Sequence, residues 1–175
     1  MDYDQLIELI AEKNMIALET LYNNMYSDVF AYSLSVVRNP VVAQDLAQDT
    51  FLRVYKGAKG FRKKGYGRAW VLKIARNLAM DYLKKQQHQP LEEWIVDKDS
   101  ASEQGETMVY ISQLLAELTA AEREIVLLKA SGYSHKEIAG ICKRPEGTVR
   151  WKYASAVKKL SAAENSTYER IGTGR

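Results

Sequence analysis

Hydrophobic residues recur every three or four positions along most of the chain, the spacing that places side chains on one face of an α-helix. No segment alternates apolar and polar residues as a half-buried β-strand does. The prolines fall at breaks in the pattern, where their restricted backbone is tolerated. The spacing predicts helices over residues 4–12, 15–37, 40–56, 68–85, 106–117, 120–131, 134–142 and 146–163.

A polar and acidic stretch, QQHQPLEEWIVDKDSASEQG, separates the helices into two groups. It lacks the apolar spacing of a packed helix, and we interpret it as a linker. The chain is therefore predicted to be all-α, with two small helical domains joined by a flexible acidic linker. The predicted boundaries are 1–86 for the first domain, 87–108 for the linker, 109–163 for the second domain and 164–175 for a frayed tail.

The composition is that of a folded chain, since 46% of the 175 residues are hydrophobic and 27% are charged. The apolar runs are much shorter than the ~20 residues that span a bilayer. The acidic start, MDYDQLIELIAEKN, is unlike a secretory leader. A single cysteine, Cys142, and two histidines leave neither an internal disulfide nor a metal cluster. We expect a cytosolic protein without a cofactor.

The formal net charge of +3 conceals an uneven distribution. Residues 59–88 carry +8 and residues 125–175 carry +6, whereas residues 1–58 carry −4 and residues 89–124 carry −7. Two basic blocks divided by an acidic one suggest two contacts with a polyanion. The alternative is that both blocks are solvated helix faces.

The segment GYSHKEIAGICKRPEGTVRWKYASAVKKL has the layout of a helix-turn-helix. Ser134 and Glu137 match a capping box at the start of its first helix, and Pro145 prevents continuation through the turn. Helical spacing in the second helix places Val149, Tyr153, Ala156 and Leu160 on a buried stripe.

The remaining positions of the second helix carry groups that suit a DNA major groove. Arg150 can form a bidentate contact with guanine, and Lys152 and Lys158 are placed to contact phosphates. The alternative is an amphipathic helix with a solvated basic face. The candidate DNA-binding residues here are Thr148, Arg150, Trp151, Lys152, Ala154, Ser155 and Lys158.

A second candidate surface combines the basic loop GFRKKGYG with the helix RAWVLKIARNLAMDYLKK. Cations interleaved with aromatic residues suit single-stranded DNA, and Asn77 can read the edge of an extruded base. The alternative makes Phe61 and Trp70 core residues and Asn77 a surface amide. The candidate residues are Phe61, Arg62, Lys63, Lys64, Tyr66, Trp70, Lys73, Asn77 and Lys84.

The helix NPVVAQDLAQDTFLRVYKG carries a different kind of surface. Its spacing buries Leu46, Ala47, Thr50 and Val54. Acidic side chains around an exposed leucine repel DNA but can bind a basic helix of another protein. The alternative is a helix face that is simply exposed to solvent. The candidate protein-binding residues are Asp45, Gln48, Asp49 and Leu52.

Three blocks now become recognisable: AQDLAQDTFLRVY, GRAWVLKIARNLAMDYLKK, and LTAAEREIVLLKASGYSHKEIAGICKRPEGTVRWKYASAVKKL. In order and spacing they resemble the group IV, or extracytoplasmic function (ECF), sigma factors of bacterial RNA polymerase. The resemblance covers residues 15–85 and 110–161. It implies a non-enzymatic subunit with a sigma-2-like domain and a sigma-4-like helix-turn-helix domain.

The resemblance also implies a role for each surface. The acidic face matches the one that docks on the clamp helices of the largest polymerase subunit, and the C-terminal domain would contact the flap region. The basic loop and its helix match the element that opens the −10 region and captures a base, with Asn77 in the pocket. The second helix of the helix-turn-helix matches the reader of the −35 element. The family implies an anti-sigma factor, often membrane-bound, while this chain itself is not inserted in a membrane.

The sequence departs from the family at two places. The turn usually has glycine and then an aliphatic residue, but here it has Lys143 and Arg144, and Lys143 would take a left-handed conformation only at some cost. An arginine pair late in the reading helix is replaced by Ser155 and Val157, which removes two cations. A stand-alone helix-turn-helix regulator remains the alternative function, and a nuclease would need clustered acids that are not seen near the basic loop.

Overall fold

The computed structural model describes residues 2–62, 65–86 and 117–172, with side chains of the last range described to residue 163. Every regular element in these residues is helical, which confirms the all-α prediction. Two compact units divide the chain, and the first combines the helices before residue 87 with residues 136–144. The helices before residue 87 are described first, and those after residue 116 follow in chain order.

The first two helices are α1, Tyr3–Ala11, and α2, Met15–Val37. Asn14 begins α2, because its side-chain oxygen accepts a hydrogen bond of 3.1 Å from the backbone N–H of Ala17. The helix ends at Arg38, whose left-handed φ of 54° turns the chain away from the helix axis.

Two further helices complete the N-terminal bundle: α3, Pro40–Gly57, and α4, Gly67–Gln86. The side chain of Asn39 caps α3 by accepting hydrogen bonds from the backbone N–H groups of Val41 and Val42, at 3.0 and 3.1 Å. The proline that follows the cap suits the first helical position, where no N–H partner is needed.

The core of this bundle lies around α2, which packs against α1, α3 and α4. The stripe predicted for α3 is buried, since Leu46, Ala47, Thr50 and Val54 are all at most 7% exposed. Removing large aliphatic side chains from water is the main favourable term in holding such a bundle together. The side chains buried most completely are Leu6, Ile7, Ile10, Leu21, Met25, Val29 and Leu72.

The C-terminal helices are α5, Ala120–Ala130, α6, His135–Cys142, and α7, Glu146–Gly172. A capping box starts α5, in which Thr119 and Glu122 exchange hydrogen bonds between side chain and backbone. α5 and α7 pack against each other. The buried side chains of these two helices include Ile125, Leu128, Val149 and Ala156.

A short turn joins α6 to α7 and gives the predicted helix-turn-helix layout. Lys143 has a φ of 53°, so it adopts the left-handed conformation that glycine adopts at lower cost. The N–H of Arg144 donates to the carbonyl of Ala139 at 3.0 Å and closes the end of α6. The carbonyl of Pro145 accepts a hydrogen bond of 3.1 Å from the N–H of Val149 at the start of α7.

Most predicted helix ends lie within one residue of the observed ends, but α7 differs. It continues to Gly172, beyond its predicted end at 163, and the segment AAENSTYERI contains no glycine or proline that would end it. The 3₁₀ turn Ala58–Gly60 was not predicted. The predicted linker 87–108 and almost all of the predicted helix 106–117 lie outside the described residues.

Candidate nucleic-acid interface

The outer side of α3 carries an acidic surface with one large apolar residue, which we call the acidic face. The buried hydroxyl of Thr50 donates to the carbonyl of Leu46 at 2.7 Å, so this polar group on the inner side of α3 needs no partner on another helix. Leu52 is 56% exposed. The exposed residues of the acidic face are Asp45, Gln48, Asp49 and Leu52, as predicted.

The basic loop before α4 is organised around two aromatic rings. The rings of Phe61 and Trp70 are tilted against each other, with centroids 5.3 Å apart, and both residues are half-buried. The guanidinium of Arg62 donates to the carbonyls of Lys59 and Phe61, at 2.6 and 2.9 Å. These contacts fold the side chain of Arg62 back against the backbone of residues 59–61.

Three of the predicted residues share one face of α4, since Trp70, Lys73 and Asn77 are three and four positions apart. All three are half-buried, as is Tyr66, whereas Lys84 near the end of the helix is exposed. This face offers a ring for stacking, a cation for phosphate and an amide for a base edge. The predicted contributions of Lys63 and Lys64 lie outside the described residues.

The helical pattern did not single out Asp4, which the structure places against the start of α4. Its carboxylate accepts hydrogen bonds from the backbone N–H groups of Gly65 and Gly67, the second at 2.7 Å. Asp4 is only 7% exposed. Asp4, near the start of α1, thus contacts the residues at the start of α4.

The outer face of α7 lies opposite its buried Val149 and Ala156. Trp151 is 67% exposed, which is unusual for so large an apolar side chain. Thr148 and Lys152 are half-buried at the edges of this face. The exposed residues are Arg150, Trp151, Ala154 and Lys158, which were all predicted to contact DNA.

Local contacts orient the first turns of α7. The guanidinium of Arg150 donates from Nε and Nη2 to one carboxylate oxygen of Glu146, at 3.1 and 2.7 Å. The ammonium of Lys152 lies 5.4 Å from the ring centroid of Trp151. Both contacts are on the surface, where each contributes little to the stability of the fold and can be replaced by a stronger contact at small cost.

Ser155 makes a contact that was not predicted. Its hydroxyl donates to the carboxylate of Glu122 on α5 at 3.0 Å, and the ammonium of Lys159 donates to the same carboxylate at 2.8 Å. Thr119 completes the set through its backbone N–H and its hydroxyl, at 3.0 and 2.8 Å. Ser155, proposed from the sequence as a base reader, therefore also ties α7 to α5.

The donors around Glu122 stabilise its charged form. The Lys159 ammonium, followed by the backbone and hydroxyl of Thr119, lowers the pKa of the Glu122 carboxyl from 4.5 to about 2, although burial opposes the shift. A carboxyl with a lowered pKa in the folded state contributes stability above its unfolded pKa and loses that contribution as the pH falls through the lower value.

We expect Glu122→Gln to lower the thermal midpoint of the protein at pH 7, because the amide loses the ion pair with Lys159. The difference between wild type and variant should shrink between pH 4.5 and about 2, where the wild-type carboxyl becomes protonated. Thermal melts of both proteins across this range measure the effect, and Glu117→Gln, at an exposed acid just before α5, is the control. A difference that stays constant with pH would contradict the assignment.

Two kinds of feature are absent from the described residues. No group of three or more His, Cys, Asp or Glu side chains among them is arranged to hold a metal ion. None of the helices in the described ranges combines the length and the apolar character needed to cross a membrane.

Comparison with protein families identifies the class of protein. The description "Sigma-70 region 2" matches residues 21–89, and "Sigma-70, region 4" matches residues 108–160. The first range contains the acidic face and the basic loop with α4, and the second contains the helix-turn-helix. The chain belongs to the sigma-70 family of RNA polymerase sigma factors.

Individual relatives place the chain more narrowly within this family. It is 30% identical over 159 residues to the probable RNA polymerase sigma-C factor of Mycobacterium bovis, covering 87% of this chain and 85% of the relative. It is 31% identical over 138 residues to the ECF sigma factor EcfG of Rhodopseudomonas palustris, covering 75% and 76%. The chain is accordingly an ECF, or group IV, sigma factor.

Solved structures share the fold. CnrH in complex with the cytosolic domain of CnrY has a TM-score of 0.74 at 22% identity, covering 94% of this chain and 99% of that one. RpoE in complex with the anti-sigma factor NepR from Bartonella quintana has a TM-score of 0.63 at 21% identity, covering 90% and 98%. At these identities the likeness concerns the fold alone.

Proposed function

We propose that the chain is a promoter-specificity subunit of RNA polymerase, which binds the core enzyme, recognises the −35 and −10 elements and helps to open the DNA. The observation that carries this proposal is that sigma-70 regions 2 and 4 occur together in one chain, with an acidic face and two cation-bearing faces on their surfaces. The acidic face suits a basic protein, and the other two suit DNA. RNA synthesis itself belongs to the core enzyme.

Each surface has one role in this proposal. The acidic face docks on the clamp helices of the largest polymerase subunit through Asp45, Gln48, Asp49 and Leu52. The basic loop and α4 contact the −10 element through Phe61, Arg62, Lys63, Lys64, Tyr66, Trp70, Lys73, Asn77 and Lys84. The outer face of α7 contacts the −35 element through Thr148, Arg150, Trp151, Lys152, Ala154, Ser155 and Lys158.

The domains divide the work in the same way. Residues 1–86 bind the core enzyme and act on the −10 element, while residues 109–163 read the −35 element and contact the polymerase flap. Residues 87–108 link the two. The complexes of CnrH with the cytosolic domain of CnrY and of RpoE with the anti-sigma factor NepR support an anti-sigma factor as a further partner. The protein acts with the polymerase, in the cytoplasm.

Run-off transcription with core RNA polymerase tests the proposal most directly. The full chain is added to core enzyme on a library of promoter templates, and transcripts are mapped to their start sites. We expect specific starts only when both components are present. Absence of both a specific transcript and a stable complex with core enzyme would refute the proposal. Binding of a dimer to palindromic duplex without polymerase would favour a stand-alone helix-turn-helix regulator.

We expect Asn77→Ala to slow promoter opening about tenfold, the effect of losing roughly 1–2 kcal/mol of hydrogen bonding to an extruded base. Initial binding of closed promoter duplex should change much less. The fluorescence of 2-aminopurine in the −10 region reports opening, and a mobility shift at low temperature reports closed binding. Asn23→Ala, an exposed amide on α2, is the matched control. Equal losses in opening and closed binding would remove Asn77 from the base pocket.

A further inference from the structure

The start of α4 is capped by a residue from another helix. The two residues in front of it, Gly65 and Tyr66, lack the short oxygen-bearing side chain that normally caps a helix. The first backbone N–H groups of a helix have no partner within it. Asp4 of α1 provides one, because its Oδ1 accepts from the N–H of Gly67 at 2.7 Å and its Oδ2 accepts from the N–H of Gly65.

The absence of a side chain at Gly67 permits this contact. A Cβ built there would lie 2.7 Å from Oδ1 of Asp4 and 2.9 Å from both its backbone nitrogen and the carbonyl carbon of Tyr3. Two of these atoms are backbone, so they cannot move aside as the end of a flexible side chain can. The second donor, Gly65, has a φ of 80°, which glycine adopts without strain.

The position of the carboxylate makes it hard to replace. Asp4 is 7% exposed and lies at the positive end of the α4 dipole, next to a loop rich in cations. Without Asp4, the buried N–H of Gly67 would lose its acceptor, and the exposed Gly65 would lose its contact with α1. The contact therefore holds residues 65–67 in place in front of α4.

The same contact is connected to the surface that faces DNA in the proposed function. Tyr66 lies between the two N–H donors, and its carbonyl accepts a hydrogen bond of 2.8 Å from the N–H of Trp70. The ring of Trp70 packs in a tilted arrangement against that of Phe61, at the other end of the loop. A displacement at Gly65 and Gly67 thus reaches both the loop and the first turn of α4.

We propose that Asp4 is a positioning residue for promoter opening, which holds residues 65–67 and the start of α4 in the arrangement that separates the strands. This inference rests on the proposed function. Asp4 does not contact DNA itself; it acts through the backbone of Gly65 and Gly67. Its contribution belongs to the opening step and not to binding of the core enzyme.

The test compares promoter opening by holoenzyme containing wild type, Asp4→Ala or Gly67→Ala. Asp4→Ala removes the hydrogen-bond acceptor. Gly67→Ala keeps the carboxylate but adds a Cβ that prevents it from approaching the N–H of residue 67. Glu8→Ala, an exposed acid on α1, and Gly140→Ala on α6, where an added Cβ meets no atom within 4 Å, are the controls. Each protein is assayed on a duplex promoter and on the same promoter with a mismatched −10 region that is already open.

We expect both test variants to open the duplex promoter about tenfold more slowly, as loss of a helix cap would predict, and both controls to behave as wild type. Opened DNA should restore the variants, because the step that needs the loop has been bypassed. Wild-type opening rates in the variants, or equal defects on both templates, would overturn the inference. If Asp4→Ala does not fold, Asp4→Asn, which keeps one acceptor oxygen, takes its place. Failure of wild type itself would instead count against the proposed function.

Discussion

Replacing Asp45 and Asp49 together by arginine is expected to weaken binding to core RNA polymerase by about a hundredfold or more. The two acids lie one helical turn apart on the exposed side of α3, so the double change reverses the charge of the acidic face. Against a basic partner helix, like charges brought together cost several kcal/mol, and about 2.7 kcal/mol corresponds to a hundredfold. Fluorescence anisotropy with labelled protein and core enzyme, at two salt concentrations, measures the effect.

The matched control for this experiment lies on α1. Glu8 and Glu12 are also exposed acids with the same four-residue spacing, so Glu8→Arg with Glu12→Arg changes the net charge equally at another place. A loss confined to the α3 pair would locate the docking surface. Equal losses in both pairs would indicate long-range attraction alone, and an unchanged affinity in the α3 pair would exclude the acidic face.

Arg150→Ala is expected to cost about 1–3 kcal/mol in binding a −35 element and to relax the preference at one base pair, as loss of a bidentate contact to guanine does. In the free protein, Arg150 is paired with Glu146 at 2.7 Å, but the two side chains are 66% and 39% exposed. Such a pair contributes little, so guanine can replace the carboxylate as the partner at small cost. Binding to every single-base variant of the element, measured in parallel, gives the preference at each position.

Lys158→Ala provides the comparison for Arg150. Lys158 is exposed on the same helix and is placed to contact a phosphate. Its loss should weaken all sequences alike and lower the slope of log affinity against log salt by about one. If Arg150→Ala behaved in the same way, with no change in base preference, Arg150 would be a phosphate contact and the base reading would rest on other residues.

Local sequence patterns were sufficient to predict most of the helices and their buried faces. The predicted stripe of α3 is buried, because helical spacing decides which side of an amphipathic helix turns inward. The left-handed conformation of Lys143 occurs at the turn position where the family usually has glycine, which the sequence comparison had marked as a costly position for lysine. Both features depend on residues that lie close together in the sequence.

Contacts between distant residues were beyond this kind of prediction. The hydrogen bond from Gly67 to Asp4 joins residues 63 positions apart, and that from Ser155 to Glu122 joins residues 33 apart. Helical spacing assigns a residue to a face but does not say which polar group lies opposite. The capping box at Thr119 and Glu122 has a recognisable local pattern that was overlooked, and noticing it would have marked Glu122 as a structural residue.

The inner and outer sides of α7 carry different sets of residues, and this separation affects how such proteins can diverge in evolution. The inner side of α7 carries the buried Val149 and Ala156 and the ion-paired Lys159, whereas its outer side carries side chains that are exposed to solvent. Because few side chains serve both purposes, the outward set can be exchanged with little loss of folding. A duplicated gene can thereby acquire a new target sequence in a few steps, and a designer can randomise the same positions to obtain regulators that do not interfere with one another. The outward set is Arg150, Trp151, Ala154 and Lys158.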